Sequence, residues 1–464
     1  MGVIVSSQPV DHCPRCGGKV EQDSDTLDTW FSSGLWTWST LIDPAIASDF
    51  SLSFEDLLKQ SPDFRKFHPT DVLETAGDIL FFWVARMILM TTYAIGQIPF
   101  KTVYLHGLVR TREGKKMSKS DPTTCVDPLE IIPVYGADAL RLAMIVGQMP
   151  GNDFQLYTEK IAGYRNFINK LWNASRFVLL QCEKAKIDPQ AVHCQLLTVN
   201  LSTADRALLS SLQRVVADVT SGLEHDRLSE VGERLYAFVW DYFCDWYLEI
   251  QKGSANPAVL VHALRTIVHL LHPYCPFVTE ELWSQIRPEG AGLLIREPWP
   301  EVDESLRDSD AEEGMQAIIE AISAIRSIRA EHMIEQGTCV PVFIHSKKFE
   351  KTLKAERERI IRMGKLSSLS IDAAPQTHEH AASVFLKDME VHLPLVGVID
   401  LAKEQARLLA ESEHVRKFMH GIEAKMKNKK FLENAPEGVI ATERERLLGA
   451  KEKLKKIEAR LRAF

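Results

Sequence analysis

Three lysines and two serines crowd GKKMSKSDP (Gly114 to Pro122), where Met117 is the one long apolar side chain. Lysine is a movable point charge and a serine hydroxyl donates to phosphate oxygens, so Lys115, Lys116 and Lys119 with Ser118 and Ser120 suit a polyphosphate. Their charge would matter most where pyrophosphate leaves, because negative charge grows there in the transition state. The same residues, read without context, also fit an exposed basic loop or a localisation patch. A second grouping is Cys13 and Cys16 in CPRC, the spacing of one arm of a zinc knuckle. A closed tetrahedral site needs four ligands, and His12 stands too near in sequence to serve as a third.

These residues need elements to hold them. TVYLHGLV (Thr102 to Val109) reads as a strand entering the lysine loop. DPLE announces a helix beyond the loop, with Asp127 as cap, Pro128 at the first helical position and Glu130 completing a capping box. From about 153 to 300 apolar residues recur at spacings of three and four, as in YRNFINKLWNASRFVLL and RLYAFVWDYFCDWYLEI, which is the pattern of a helical bundle. An α+β segment from about 311 to 395 contains CVPVFIHS as a strand between helices. Leu401, Leu408, Val415 and Ile422 then recur every seven residues, ENAPEG makes a turn, and Ile440, Leu447, Leu454 and Leu461 recur every seven on the return. That spacing predicts an antiparallel helical hairpin with a narrow apolar seam.

With 464 residues, 45% hydrophobic and 25% charged, the chain is large enough for two to four domains. Its formal net charge is -8, yet residues 401–464 carry 16 Lys and Arg against 10 Asp and Glu, so the basic charge is local. A solvated face and a polyanion-binding face both fit such a run. The longest mostly apolar run, Ile79 to Met90, is broken by Arg86 and falls short of the ~20 residues that span a bilayer, so no membrane segment is expected. The start lacks the basic flank and apolar stretch of a secretory signal, which makes a cytoplasmic location the expectation. Eight scattered cysteines do not form a disulfide framework, and reduced thiols are expected.

The K-M-S-K-S stretch resembles the second signature of class I aminoacyl-tRNA synthetases. LDTWFSSGLW (Leu27 to Trp36), DILFFWVARMI (Asp78 to Ile88), VYLHGLV, DPLE, YGADALR (Tyr135 to Arg141), RNFINKLWNASRF and LHPYCPFVTEELW (Leu271 to Trp283) resemble valyl-tRNA synthetases in the right order. The likeness runs over essentially the whole chain, including the hairpin, which looks like that family's C-terminal coiled coil. It implies a multi-domain α/β plus α architecture. Residues 1–152 would be the second half of a Rossmann-like catalytic core with a half zinc knuckle, and 153–310 a helical anticodon-binding domain. Residues 311–398 would form a small α+β connection, and 399–464 a coiled-coil arm against tRNA.

The resemblance also implies chemistry: ATP with Mg2+ activates valine to valyl-adenylate, and valine passes to tRNA(Val). Trp30, Ile79 and Trp83 would wall a small apolar hole for the valine side chain. Asp78 would hold the ribose or the adenylate, and His106 and Gly107 would lie by the adenine. Lys116, Ser118 and Lys119 would bind ATP phosphates, with Lys116 and Lys119 stabilising the departing pyrophosphate. Taken without the family, Trp30 and Trp83 read as core aromatics and His106 as a structural histidine.

None of the 15 histidines sits in the family's first signature, H-x-G-H, and the inserted editing domain is absent. Full activity is therefore expected only with an N-terminal synthetase half, a possible separate partner that would also bring the remaining ligands for Zn2+ at Cys13 and Cys16. The segment DPTTCV after Ser120 is one residue longer than the family's, Pro122 stiffens it, and Ala76 stands where the family has glycine. Two rivals are a non-catalytic tRNA-binding protein and a synthetase of isoleucyl type. Retention of Trp30, Asp78, Trp83 and both signature lysines disfavours the first, and DTWFSS with DILFFW the second.

Overall fold

The computed structural model describes residues 3–6, 8–117, 126–192, 201–253, 255–374, 381–398, 401–427, 442, 444–451 and 454–455. The chain divides into two compact units, residues 1–164 with 225–232, and residues 165–224 with 233–464.

The first unit runs α1 (Thr29–Ser39), α2 (Phe54–Gln60), α3 (Pro62–Phe67), β1 (Thr70–Ala76), a 3-10 turn (Gly77–Ile79), a π-helical turn (Leu80–Val84) and α4 (Ala85–Ile95). It continues through β2 (Phe100–His106), β3 (Val109–Arg110), α5 (Pro128–Tyr135), α6 (Ala137–Ile145) and β4 (Phe154–Gln155). β1 and β2 pair in parallel, from Thr70 opposite Phe100 to Ala76 opposite His106, and β3 and β4 form a second parallel pair. Helix α1 starts where the Asp28 carboxylate accepts the Trp30 N–H at 2.9 Å, a side-chain cap. It packs on α4 at Gly34, where a Cβ would stand 2.3 Å from Met90 Sδ, and through the buried Thr37 and Thr91 hydroxyls 3.1 Å apart. Val84 and Met87 close a core with Leu73 of β1 and Phe100 of β2.

Two expectations change here. TVYLHGLV is not one strand, since β2 ends at His106 and β3 pairs with β4, the break falling at Gly107. The apolar stretch is also longer than Ile79 to Met90: Gly77–Ile95 is 19 residues with mean hydropathy 1.5, long and apolar enough by length and composition to cross a membrane. Arg86 interrupts the stretch on a solvent-accessible side, where its guanidinium pairs with Asp28 at 3.3 Å.

From α7 (Thr158–Ala185) the chain turns helical, through α8 (Thr203–Glu224), α9 (Leu228–Ala237), a π-helical stretch (Phe238–Tyr247), α10 (Leu248–Gln251), α11 (Pro257–Leu271) and α12 (Pro276–Ile286). Within the second unit Leu208, Leu212, Leu260, Leu264 and Ile267 are at most 1% exposed. Asp205 sits buried among them, accepting from Tyr247 Oη at 2.7 Å, Gln251 Nε2 at 2.8 Å and Ser202 N at 3.0 Å. With the Ser202 hydroxyl, which donates at 2.8 Å, four bonds to one carboxylate offset its loss of water.

Next come α13 (Ser309–Glu331), β5 (Val340–His345), α14 (Glu350–Ala355), α15 (Arg357–Gly364), β6 (Leu366–Asp372), β7 (Ala381–Phe385), β8 (Glu390–Pro394) and α16 (Leu401–Lys427). CVPVFIHS is β5, an inner strand of a sheet ordered β6-β5-β8-β7, parallel to β6 and antiparallel to β8. In α16, Val415 and Ile422 are buried, and Val415 packs with Met419, Ala450 and Leu454. Ala450 therefore takes a contact position that the seven-residue count did not name. The ENAPEG turn, Ile440, Leu461 and the side chains of Leu401 and Leu408 lie outside the described residues.

Candidate functional site

Parallel pairing brings two stretches that are distant in sequence to one edge. With Ala76 opposite His106, the chain leaves β1 into Asp78 and β2 into Gly107 at the same carboxyl end, where open α/β sheets bind ligands. Asp78 is exposed in its 3-10 turn. His106 Nδ1 lies 3.0 Å from the Gly107 carbonyl, and Nε2 lies 3.6 Å from Glu74 Oε1. A carbonyl oxygen only accepts, so Nδ1 is the donor in that bond. Gly107 is buried, and a Cβ there would fall 1.6 Å from the Asn152 carbonyl oxygen. The chain crosses itself too closely for any side chain at that position.

The lysine loop leaves this region by a tight, well-bonded base. Thr111 N donates to Lys115 O at 2.8 Å, Gly114 N donates to Thr111 O at 2.9 Å, and Gly114 has φ 82°, which favours glycine. Arg110 and Lys116 form an antiparallel bridge across the turn. Arg110 Nε donates to Asp153 Oδ2 at 2.6 Å and Nη1 to Gly114 O at 3.0 Å, while Leu108 N donates to Asp153 Oδ1 at 2.9 Å. The Leu108 N–H, the Arg110 bond and then the charges of Arg110 and Lys116 hold the Asp153 carboxyl below its usual range. Met117 packs against the cluster of Ala139, Ala143, Leu156 and Ile161. Across the loop, Asp127 accepts from Leu129 N at 2.8 Å and caps α5.

Lys116 is thus an exposed ammonium at a fixed turn, close to the carboxylate of Asp153. Ser118 and Lys119 lie outside the described residues. Gly151 N donates to Leu105 O at 2.8 Å, so the segment Gly151 to Asp153 ties the end of β2 to the base of the loop. Arg110 and Asp153 were not picked out by spacing or composition. Met117 had one signal, an apolar side chain alone in a polar stretch.

The three pocket residues occupy neighbouring elements. Trp30 is half-buried in the first turn of α1, and Ile79 and Trp83 are half-buried in the turns after Asp78. Helix α1 touches the π-helical turn that carries Trp83, and Trp83 packs against the Leu73, Met87 and Phe100 core. Trp83 therefore does structural work whatever else it does.

Cys13 and Cys16 lie in a tight turn in which Cys13 N donates to Gly18 O at 2.7 Å and Gly17 N donates to Cys13 O at 2.8 Å. Backbone N–H groups of Arg15 and Cys16, with the Cys16 side chain, hold the Cys13 thiol below its usual value, an environment suited to a thiolate. Among the described residues no three His, Cys, Asp or Glu side chains gather to hold a metal. Two thiols do not make a closed zinc site, so this donor set alone does not fit the ion.

Three family profiles match in series: "tRNA synthetases class I (I, L, M and V)" over residues 5–156, "Anticodon-binding domain of tRNA ligase" over 205–344 and "Valyl tRNA synthetase tRNA binding arm" over 400–464. The valine–tRNA ligase of Dehalococcoides mccartyi is 39% identical over 98% of this chain and 51% of its own length. That of Clostridium acetobutylicum is 38% identical over 100% of this chain and 52% of its own. The chain belongs to the valyl-tRNA synthetase family. It spans about half the length of the curated valyl-tRNA synthetases it matches. A leucyl-tRNA synthetase of Agrobacterium radiobacter K84, solved with tRNA and LeuAMS, superposes at TM-score 0.52 and 22% identity over 71% of this chain and 42% of that one, a likeness of fold.

Proposed function

We propose that this chain works as the C-terminal part of a valine–tRNA ligase, supplying the lysine loop, the anticodon-binding helices and the tRNA arm to ATP-dependent charging of tRNA(Val). What carries the reading is the continuity of the likeness: 39% identity sustained over 98% of the chain, from the catalytic stretch to the arm. In this reading Asp78, His106 and Gly107 receive the nucleoside at the strand ends. Lys116, Ser118 and Lys119 meet the ATP phosphates, and Trp30, Ile79 and Trp83 bound the valine side chain. The four stretches 1–152, 153–310, 311–398 and 399–464 divide the work into chemistry, anticodon binding, connection and tRNA grip. Zinc at Cys13 and Cys16 would need two ligands from outside the described residues.

The test has two arms. Valine-dependent exchange of pyrophosphate into ATP is absent with this chain alone and appears when the other half of the ligase is added. Exchange by the chain alone, or none on adding that half, would sink the catalytic part of the reading. In the restored enzyme Lys119→Ala slows exchange by about 10² to 10³ with little change in valine affinity. Truncation after residue 398 weakens tRNA(Val) binding and lowers the log-log salt slope by roughly 0.7 to 0.9 per lost phosphate contact. An unchanged affinity and slope would leave the arm a solvated structural element.

A further inference from the structure

The four-stranded sheet of the second unit has one apolar face and one polar face. Ile344, Ile371 and Val391 are buried on the first, and the alternation of side chains along a strand gathers Ser383, His392 and Glu390 on the other. Ser383 of β7 stands opposite His392 of β8, and Glu390 precedes His392 by two residues on the same strand. Ser383 Oγ lies 2.7 Å from His392 Nδ1, and His392 Nε2 lies 3.3 Å from Glu390 Oε2. Burial lowers the pKa of the His392 imidazole, the Glu390 bond opposes that, and the neighbouring His345 adds to the lowering, so the ring is neutral near pH 7. A carboxylate only accepts, so Nε2 carries the hydrogen and Nδ1 accepts from the serine hydroxyl. Hydroxyl, imidazole and carboxylate thus stand in the order in which a base takes a proton from a nucleophile and a third group orients the base.

The surroundings suit a reaction. Ser383 is exposed, whereas His392 is 5% exposed, with the buried His345 ring 5.2 Å from its own. The hairpin of β7 and β8 closes where Leu386 N donates to Met389 O at 2.9 Å. Ladder bonds of an antiparallel pair recur at every second residue, so Val384 and Ala382 bond to β8 while Ser383 turns its N–H to the outer edge of β7. Among the described residues no strand pairs with that edge. The nucleophile's own N–H can therefore meet a developing oxyanion. Phe385, 71% exposed and edge-on to His392 at 5.9 Å, offers an apolar platform beside the serine.

We infer that Ser383 is a nucleophile, His392 its general base and Glu390 the residue that positions the base, and that this site hydrolyses small carboxylic esters. Ser383 Oγ attacks the carbonyl carbon as its proton passes to His392 Nδ1. The bond from that carbon to the alcohol oxygen breaks, the proton moves from Nδ1 to the departing alcohol, and acyl-Ser383 remains. Water then attacks the acyl carbon and gives a proton to Nδ1. The bond to Oγ breaks and Oγ recovers that proton. Ester and water become acid and alcohol, with nothing oxidised or reduced.

The experiment treats the full chain with diisopropyl fluorophosphate and, separately, follows release of p-nitrophenolate from p-nitrophenyl acetate. Fluoride leaves in the first reaction, and peptide mass spectrometry is expected to find the diisopropylphosphoryl group on Ser383. Ser383→Ala, at an exposed position that leaves the melting temperature as it was, abolishes that label and the catalysed release of p-nitrophenolate. His392→Gln slows both reactions by about 10² or more, the usual worth of a general base. Glu390→Gln lowers kcat for the ester by about tenfold or more with KM unchanged, and Glu390→Asp restores part of it. Ser368→Ala, at an exposed position on β6, changes neither reaction. Should His392→Gln unfold the sheet, the Glu390 pair of variants carries the same comparison. Absence of label at Ser383, a label indifferent to both His392→Gln and Glu390→Gln, or ester turnover that survives Ser383→Ala overturns the inference. The reaction uses neither valine nor tRNA, so each of these results leaves the ligase reading as it stands.

Discussion

Gly107 and Asp153 set the geometry of the site more firmly than the residues that would touch substrate. At Gly107 an added methyl meets main chain, which cannot rotate away, so Gly107→Ala forces the Asn152 backbone aside and costs the first unit about 3 kcal/mol. Urea titration monitored on that unit checks it, and a loss within experimental error of zero would mean the crossing is looser than described. Asp153 works differently. It holds Leu108 N, Arg110 and the turn carrying Lys116 in one arrangement, so Asp153→Ala releases the Leu108 amide to exchange with solvent about tenfold faster or more. Amide exchange at Leu108 is the measurement, and unchanged protection would assign that bond to the surrounding strands instead.

Among the elements, α11 carries a proton-sensitive point at His262. Burial pushes this imidazole down to about 4, the nearby Arg265 charge adds to the effect, and Asp303 opposes it. A depressed histidine is neutral in the folded chain, so the unfolded chain takes up a proton first as the pH drops. The stability contribution is complete above about pH 6.5 and declines at roughly 1.4 kcal/mol per pH unit towards pH 4, for a total of about 3 kcal/mol. His262→Leu flattens that slope. Equal slopes for both proteins in denaturant titrations from pH 7 to pH 4 would place the acid sensitivity elsewhere.

What the sequence disclosed about elements follows from how local each feature is. Asp127 caps α5 through a bond to an amide two residues away, and DPLE was enough to read it. β5 was readable from CVPVFIHS because a short β-branched run between helices carries its own propensity, but its two strand partners, β6 and β8, lie in segments with no such run. The break at Gly107 was not readable, because its cause is main chain 45 residues onward. Asp78 and His106 reach one edge through strand pairing, which their spacing of 28 residues does not encode. The motif resemblance supplied them as site residues, and the contacts of Arg110 with Asp153 supplied what the motifs left out.

For the whole molecule, two compact units of different make-up imply unfolding in more than one step. The second unit holds the large helical core around Asp205 and the four-stranded sheet, whereas the first leaves its apolar helix face open. Calorimetry on the free chain should resolve a lower transition from the first unit and a higher one from the second. A single transition that moves as a whole would mean the two units unfold as one.

The outer face of α4 also bears on the life of the chain in a cell. A chain folded in this way displays Phe81, Leu89 and Tyr93 to every chaperone and protease it meets, as an incompletely folded protein does. Pulse-chase half-life should lengthen with Leu89→Asp and Tyr93→Asp, because the face is then no longer apolar. An unchanged half-life would mean that quality control does not read this face, and its apolar side would then carry no cost in the cell.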